Sequence, residues 1–287
     1  MNSCRVLILD EDCYVRMHYL SLITLLPKSN IVSSKQEVIS KLSNDNFQVI
    51  ICSCENNFAD ISHFLENLLT FPIQIILLWD KNDPAVLLHF LSHGVFACPN
   101  KQINPTELSE LIQCACDTYD NKDQLQLISC RIDWIEWIIP SQSYYIPRIS
   151  SWIHRFLFRL SDKDAIKLMY AFRELLQNAL EHGNHYLPDK KIWIRYNLGH
   201  NCIIFFIQDE GNGFDLSSLP HALVGKTKKK TMEVMMYRKR KGMRPGGLGI
   251  ASIFSIADEV IYNQTGNGVL IIKYLPTQHD IEELYKL

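Results

Sequence analysis

The 287-residue sequence predicts an α/β unit built as a (βα)5 doubly wound parallel sheet, followed by an α+β two-layer sandwich. Three observations carry this expectation. Continuously apolar short runs alternate with helix-length segments over residues 1–118, whereas strands and helices segregate into blocks after about residue 127. The length, near twice the typical 150 residues of one domain, provides for two separate cores.

The apolar runs of the first half are residues 5–9, Val49–Cys52, Ile73–Trp79 and Val95–Cys98, with helix-length segments such as Phe58–Leu69 and Pro84–His93 between them. Strands apolar on both faces belong in a parallel sheet covered by helices, and ligands then lie beyond the strands' carboxyl ends. The polar residues found there are Asp10 and Glu11 after the first run, Ser53 after the second and Lys101 after the last.

This arrangement resembles the receiver domains of bacterial response regulators over residues 1–118. The resemblance implies acids that hold Mg²⁺, a carboxylate at the end of the middle strand that accepts phosphate, and a lysine that contacts the phosphoryl group. Ser53 stands where that acceptor belongs, and Trp79 where a small hydroxyl residue belongs. A hydroxyl does not replace a carboxylate that must accept phosphate and help neutralise a metal. The expectation is a degenerate receiver-like docking unit, with Asp10, Glu11 and Lys101 kept as inherited polar residues or a weak ion site.

Polar residues 119–126 read as a linker, and residues 127–287 as the second domain. Ile132–Ile139 reads as a strand and Tyr145–Leu160 as a helix. Ser161-Asp-Lys-Asp164 resembles a capping box that opens a second helix running to Gly183. On it Leu168, Phe172, Leu175, Leu176 and Ala179 face the core, while Glu174 and Asn178, four apart, share another edge. Strands Ile192–Asn197 and Cys202–Gln208 follow, and the second runs into Asp209-Glu-Gly-Asn-Gly213. Arg244-Pro-Gly-Gly-Leu-Gly249 opens a helix Ile250–Ala257, and the hairpin Glu259–Asn263 with Val269–Tyr274 closes a mixed sheet under a helical layer.

Taken singly, each motif has a plain alternative. Glu174 and Asn178 could be solvated or capping residues. Asp209–Gly213 could be a tight turn, or a purine site in which the carboxylate accepts from an exocyclic amine. Gly246-Gly-Leu-Gly249 could be a close-packing loop, or amide donors at a helix start that suit phosphate. In this order and on these elements, they resemble the N-box, G1-box and G2-box of the GHKL ATPase superfamily. The segments Ala171-Phe-Arg-Glu-Leu-Leu-Gln-Asn-Ala-Leu-Glu-His-Gly-Asn184 and Asp209-Glu-Gly-Asn-Gly-Phe-Asp215 narrow the likeness to anti-sigma-factor serine kinases of the RsbW and SpoIIAB type.

That resemblance, over residues 127–276, implies ATP and Mg²⁺ as cofactors. Asp209 would hold adenine with Gly211 and Gly213 admitting the ring, Asn178 would give an oxygen to Mg²⁺, and Glu174 would be the general base. Lys226, Arg244, Gly246, Gly247 and Gly249 would serve the phosphates, beneath or beside a lid at residues 216–245. The implied partner is a regulatory protein, an antagonist or a sigma factor, and a homodimer is compatible with it. Other readings are an ATP-responsive switch without catalysis, a sensor-type histidine kinase, and a nucleic-acid binder. His182 and His185 read as structural residues at a helix end, where the dipole favours histidine.

Composition narrows the remaining classes. The 29 basic and 31 acidic residues give a net −2, with 47% apolar residues, as in soluble globular proteins. Residues 226–244, however, hold nine cations against Glu233 alone, a net +8. Clustered cations suit phosphate, so nucleic acid is a lesser alternative for this segment. No apolar stretch approaches a membrane span, and the early acids at Asp10–Asp12 argue against a secretory leader, so a cytoplasmic protein is expected. Nine cysteines without CxxC spacing read as reduced, mostly buried thiols.

Overall fold

The computed structural model describes residues 4–19, 21, 22, 26, 28–53, 57–213, 253 and 256–275. The chain divides into two compact units, Met1–Gln124 with Pro147–Phe156, and Leu125–Ile146 with Leu157–Leu287.

In the first unit, β1 (Val6–Asp10), β2 (Ser29–Val32), β3 (Val49–Ser53) and β4 (Gln74–Leu78) form a parallel sheet in the order β2-β1-β3-β4. Alternate residues serve opposite faces. Ile8, Ile51 and Ile76 join a core with Leu108, Leu111 and Ile112, and their neighbours Leu7, Ile50 and Leu77 are equally buried on the other side. That double burial is why these runs are apolar throughout.

Among the described residues before 121, the helices with full bounds are α1 (Tyr14–His18), α2 (Lys35–Asn44), α3 (Phe58–Leu68), α4 (Pro84–Ser92) and α5 (Pro105–Asp120). Local chemistry sets their starts: Ser34, Asn57, Asp83 and Asn104 each accept a first-turn amide, and proline follows the last two.

The fifth strand expected at Val95–Cys98 is reduced to one parallel bridge, Ile76 to Ala97. The Pro99 carbonyl still accepts from Trp79, but proline has no amide with which to extend the ladder. Strand β2 goes beyond the sequence expectation, since Ser-Asn-Ile-Val offers only two apolar residues.

The second unit holds a six-stranded sheet in the order β5-β6-β7-β8-β10-β9, comprising β5 (Gln126–Arg131), β6 (Trp134–Pro140), β7 (Lys191–Leu198), β8 (Cys202–Asp209), β9 (Glu259–Tyr262) and β10 (Gly268–Tyr274). All pairings among the described strands are antiparallel, in place of the mixed sheet expected, because three hairpins supply the strands. Period-two burial puts Trp137, Ile194, Phe205 and Ile271 on the inner face. There Phe172 of α7 (Asp162–Asn178) meets the Phe205 ring at 5.3 Å. Ser161 caps α7 through the Asp164 amide at 3.2 Å, as its sequence predicts.

Helix α6 (Ile146–Phe156) lies where a helix was expected, yet its residues Pro147–Phe156 belong with the first unit. Arg148 Nε and Trp152 Nε1 both donate to the Phe96 carbonyl, at 3.1 and 3.0 Å, and Arg155 donates to the Lys81 carbonyl at 2.6 Å. The Arg148 guanidinium also lies 4.2 Å from the Phe96 ring centre and pairs with Asp123. The backbone of residues 96–99 thus lines β4, and the Phe96 carbonyl on its outer side is met by side-chain donors, as a buried carbonyl requires.

Candidate functional site

Helix α7 ends at Asn178 and passes into a π-helical turn, Ala179–Gly183. Such widened turns favour functional sites because they release backbone groups from the regular ladder. Glu174 and Asn178 are half-buried on one edge of α7, while Leu175, Leu176 and Ala179 are buried in the core. The next residues, His185 and Tyr186, both have φ of +55°, a left-handed conformation that non-glycine residues seldom adopt. His185 accepts this on the surface, its Nδ1 3.1 Å from the Glu181 carbonyl.

Asp209 ends β8 and lies against that turn. A Cβ on Gly183 would come within 2.3 Å of Asp209 Cγ, and a Cβ on Gly211 within 2.4 Å of the Gly183 carbonyl. Gly213 has φ of +70° and passes so close to Thr265 that a Cβ there would fall 2.0 Å from its carbonyl oxygen. These glycines are therefore required by close backbone approach. The loop brings the Asp209 carboxylate to the end of the helix that carries Glu174 and Asn178.

Two asparagines that sequence reasoning gave no role hold this loop from opposite sides. Asn184, fully buried, accepts from the Glu210 amide at 2.9 Å and donates to the Lys191 carbonyl at 2.9 Å. Asn267 takes the Asp209 amide on its own carbonyl at 2.9 Å, and its side chain donates to the Asp209 carbonyl at 2.9 Å. Asn263 in turn donates to the Asn267 side chain at 2.8 Å. Buried side-chain amides bridging loops give little sequence signal, since asparagine is also a common turn residue; here Asn184 closes the quoted helix motif and Asn267 the last hairpin.

One oxygen of Asp209 accepts from the Gly211 amide at 2.7 Å. Burial raises the carboxyl above its ordinary range, and the Gly211 amide, Lys190 and His185 offset part of that rise. A half-buried carboxylate at the mouth of this glycine loop suits acceptance of a hydrogen bond from an amine-bearing base. Lys226, Arg244, Gly246, Gly247 and Gly249, and the lid at 216–245, lie outside the described residues.

In the first unit, Asp10 is buried and saturated: Val15 and Arg16 amides donate at 2.9 and 3.1 Å, and Arg16 Nε at 2.9 Å. Ser53 donates to Asp12 at 2.9 Å, and Lys101 pairs with the same carboxylate. Burial tends to raise Asp12, but the Lys101 and Ser53 bonds outweigh it and hold the carboxyl below its ordinary range. Glu11 pairs with Lys35 at 3.4 Å, and Trp79 is buried. The chain therefore answers these acids with its own cations.

The expectation of reduced thiols is corrected at one pair. Cys4, before β1, and Cys116, on α5, form a disulfide because those segments run side by side, with Cα atoms 5.9 Å apart. Burial pushes the free thiols of Cys98 and Cys114 up to about 12, so both stay protonated. Among the described residues, no helix is long and apolar enough to cross a membrane, and no three His, Cys, Asp or Glu gather around a metal position.

Two comparisons with known proteins each match about half of the chain. Residues 139–273 match the histidine kinase-like ATPase domain family. A 148-residue stretch is 28% identical to the serine-protein kinase RsbW of Bacillus subtilis (strain 168), covering 50% of this chain and 86% of that protein. Residues 139–273 contain α7, its π turn and the Asp209 loop.

Proposed function

We propose that this protein is a Mg-ATP-dependent Ser/Thr protein kinase of the partner-switching type, with the N-terminal unit as a receiver-like docking module that does not accept phosphate. The likeness to a histidine kinase-like ATPase domain supports nucleotide binding at the family level, and the distant relation to a serine kinase supports kinase-type chemistry. The observation that carries the reading is the Asp209 carboxylate, half-buried and packed against Gly183 and Gly211 at the end of the Glu174 helix.

Asp209 would accept a hydrogen bond from the exocyclic amine of adenine, with Gly211 and Gly213 holding the loop beside the ring. When bound, ATP supplies the terminal phosphoryl group and Mg²⁺ neutralises its charge. Asn178 would hold the metal through its side-chain oxygen, and Glu174 would take the proton of the substrate hydroxyl. The substrate is a regulatory protein that presents a serine or threonine. In the N-terminal unit, Ser53 at the end of β3 and the Asp10–Arg16 pair support docking rather than phosphorylation.

Labelled ATP with the co-purifying partner tests this. Asp209→Asn is expected to lower ATP affinity by about 10- to 100-fold, as for loss of a hydrogen bond to a charged group. Glu174→Ala is expected to cut phosphate transfer by about 10²- to 10⁴-fold, leaving ATP affinity within about twofold. ATP binding with no transfer to any co-purifying protein, insensitive to Glu174→Ala, would instead mark a non-catalytic ATP-responsive switch.

A further inference from the structure

We infer that Asn184 is a positioning residue that sets base selectivity, acting through Asp209 rather than by touching the nucleotide. The inference rests on the purine-site reading and adds a residue to it.

Three hydrogen bonds form a closed triangle between segments remote in sequence. The Glu210 amide donates to Asn184 Oδ1 at 2.9 Å, Asn184 Nδ2 donates to the Lys191 carbonyl at 2.9 Å, and the Lys191 amide donates to Glu210 Oε2 at 2.7 Å. Only a side chain that offers a donor and an acceptor at once fills the Asn184 corner. Asn184 is fully buried, so its side-chain amide depends on these two bonds and not on water.

The position of this triangle decides what it controls. Asn184 follows Gly183, and Glu210 follows Asp209. The Asn184–Glu210 bond thus joins the two backbone segments between which the Asp209 carboxylate sits, one residue beyond each. On the other side, Asn267 fixes the backbone of Asp209 at both its amide and its carbonyl. With Asn267 alone, the loop keeps its attachment to the β10 hairpin but loses its spacing from the helix end. A hydrogen bond to one exocyclic amine is sensitive to shifts of a few tenths of an ångström, whereas phosphate and stacking contacts are not tied to that spacing.

Inosine triphosphate provides the probe, because it has the same triphosphate and a purine ring but an oxygen where adenine has its amine. Affinities for ATP and inosine triphosphate are measured on the full chain for wild type, Asn184→Ala, Asn184→Asp and Asp209→Asn. Wild type is expected to prefer ATP, and Asp209→Asn to abolish the preference. Asn184→Ala is expected to reduce the preference by about tenfold, the equivalent of about 1.4 kcal/mol, with inosine triphosphate affinity nearly unchanged. Combined with Asp209→Asn it should have no further effect on the ratio. Asn184→Asp keeps the acceptor for Glu210 and loses the donor for Lys191. It should reduce the preference less, and it decides the matter alone if the alanine variant does not fold. Hydrogen exchange at the Glu210 amide should quicken in Asn184→Ala without nucleotide.

Equal losses for both nucleotides would overturn the inference, since that is what a merely structural residue gives. Unchanged preference in both Asn184 variants, with Asp209→Asn still abolishing it, would overturn the inference and leave the purine site standing. No ATP preference in wild type would remove both.

Discussion

At the scale of single residues, the proposed site turns on Asp209. The acceptor role proposed for it requires the ionised form, and burial raises its carboxyl above the ordinary value of 3.8. As pH falls through that raised value the group protonates, so ATP affinity should decline at a higher pH than an exposed aspartate would give. A titration of ATP affinity from neutral pH downward checks this. The decline should be absent in Asp209→Asn and much smaller for inosine triphosphate. The strand that ends at Asp209 was legible in the sequence, because an apolar run there gives way to a carboxylate and two glycines. Asn184 and Asn267 were not, because their partners lie 26 and 58 residues away and only the folded sheet brings them together.

At the scale of elements, strongly patterned segments were readable and weakly patterned ones were not. Helix α7 carries both a capping signal and a core stripe, and it forms as its sequence suggests, except that its last turn widens to π geometry between Ala179 and Gly183. Strands β2 and β5 escaped notice: the first has only two apolar residues, and the second is a half-exposed edge strand with Ile128 turned to solvent. The run Val95–Cys98 misled in the other direction, since apolarity alone promised a strand that Pro99 prevents from pairing further. Helix α6 illustrates a different limit, as its amphipathic pattern shows that one face is buried but not in which unit. Trp152 is buried on it and donates to a carbonyl, so Trp152→Ala should destabilise the first unit by about 3–5 kcal/mol. Denaturation followed by near-ultraviolet circular dichroism checks this. Trp152→Phe keeps most of the packing but leaves the Phe96 carbonyl to Arg148 alone, and it should cost about 1 kcal/mol.

At the scale of the whole molecule, the near-zero net charge hides unlike parts. Thirteen acids against seven bases give residues 1–118 a net −6, while residues 226–244 carry +8. Separate charge characters of this kind favour different partners for different segments, with long-range attraction that salt weakens. The placement of α6 has a topological consequence. The chain passes between the units three times, after Gln124, after Ile146 and after Phe156, so the two are laced together and not strung on a single tether. Cutting after the exposed Lys122 should therefore leave the fragments co-eluting on size exclusion, held by Trp152, Arg148 and Arg155. The same cut should release them when Trp152 and Arg148 are both replaced by alanine. For the same reason, a chain shortened to residues 119–287 would bare a tryptophan and two arginines that the first unit normally receives. Loss of nucleotide binding in that shortened chain would report on an orphaned helix rather than on the Asp209 site.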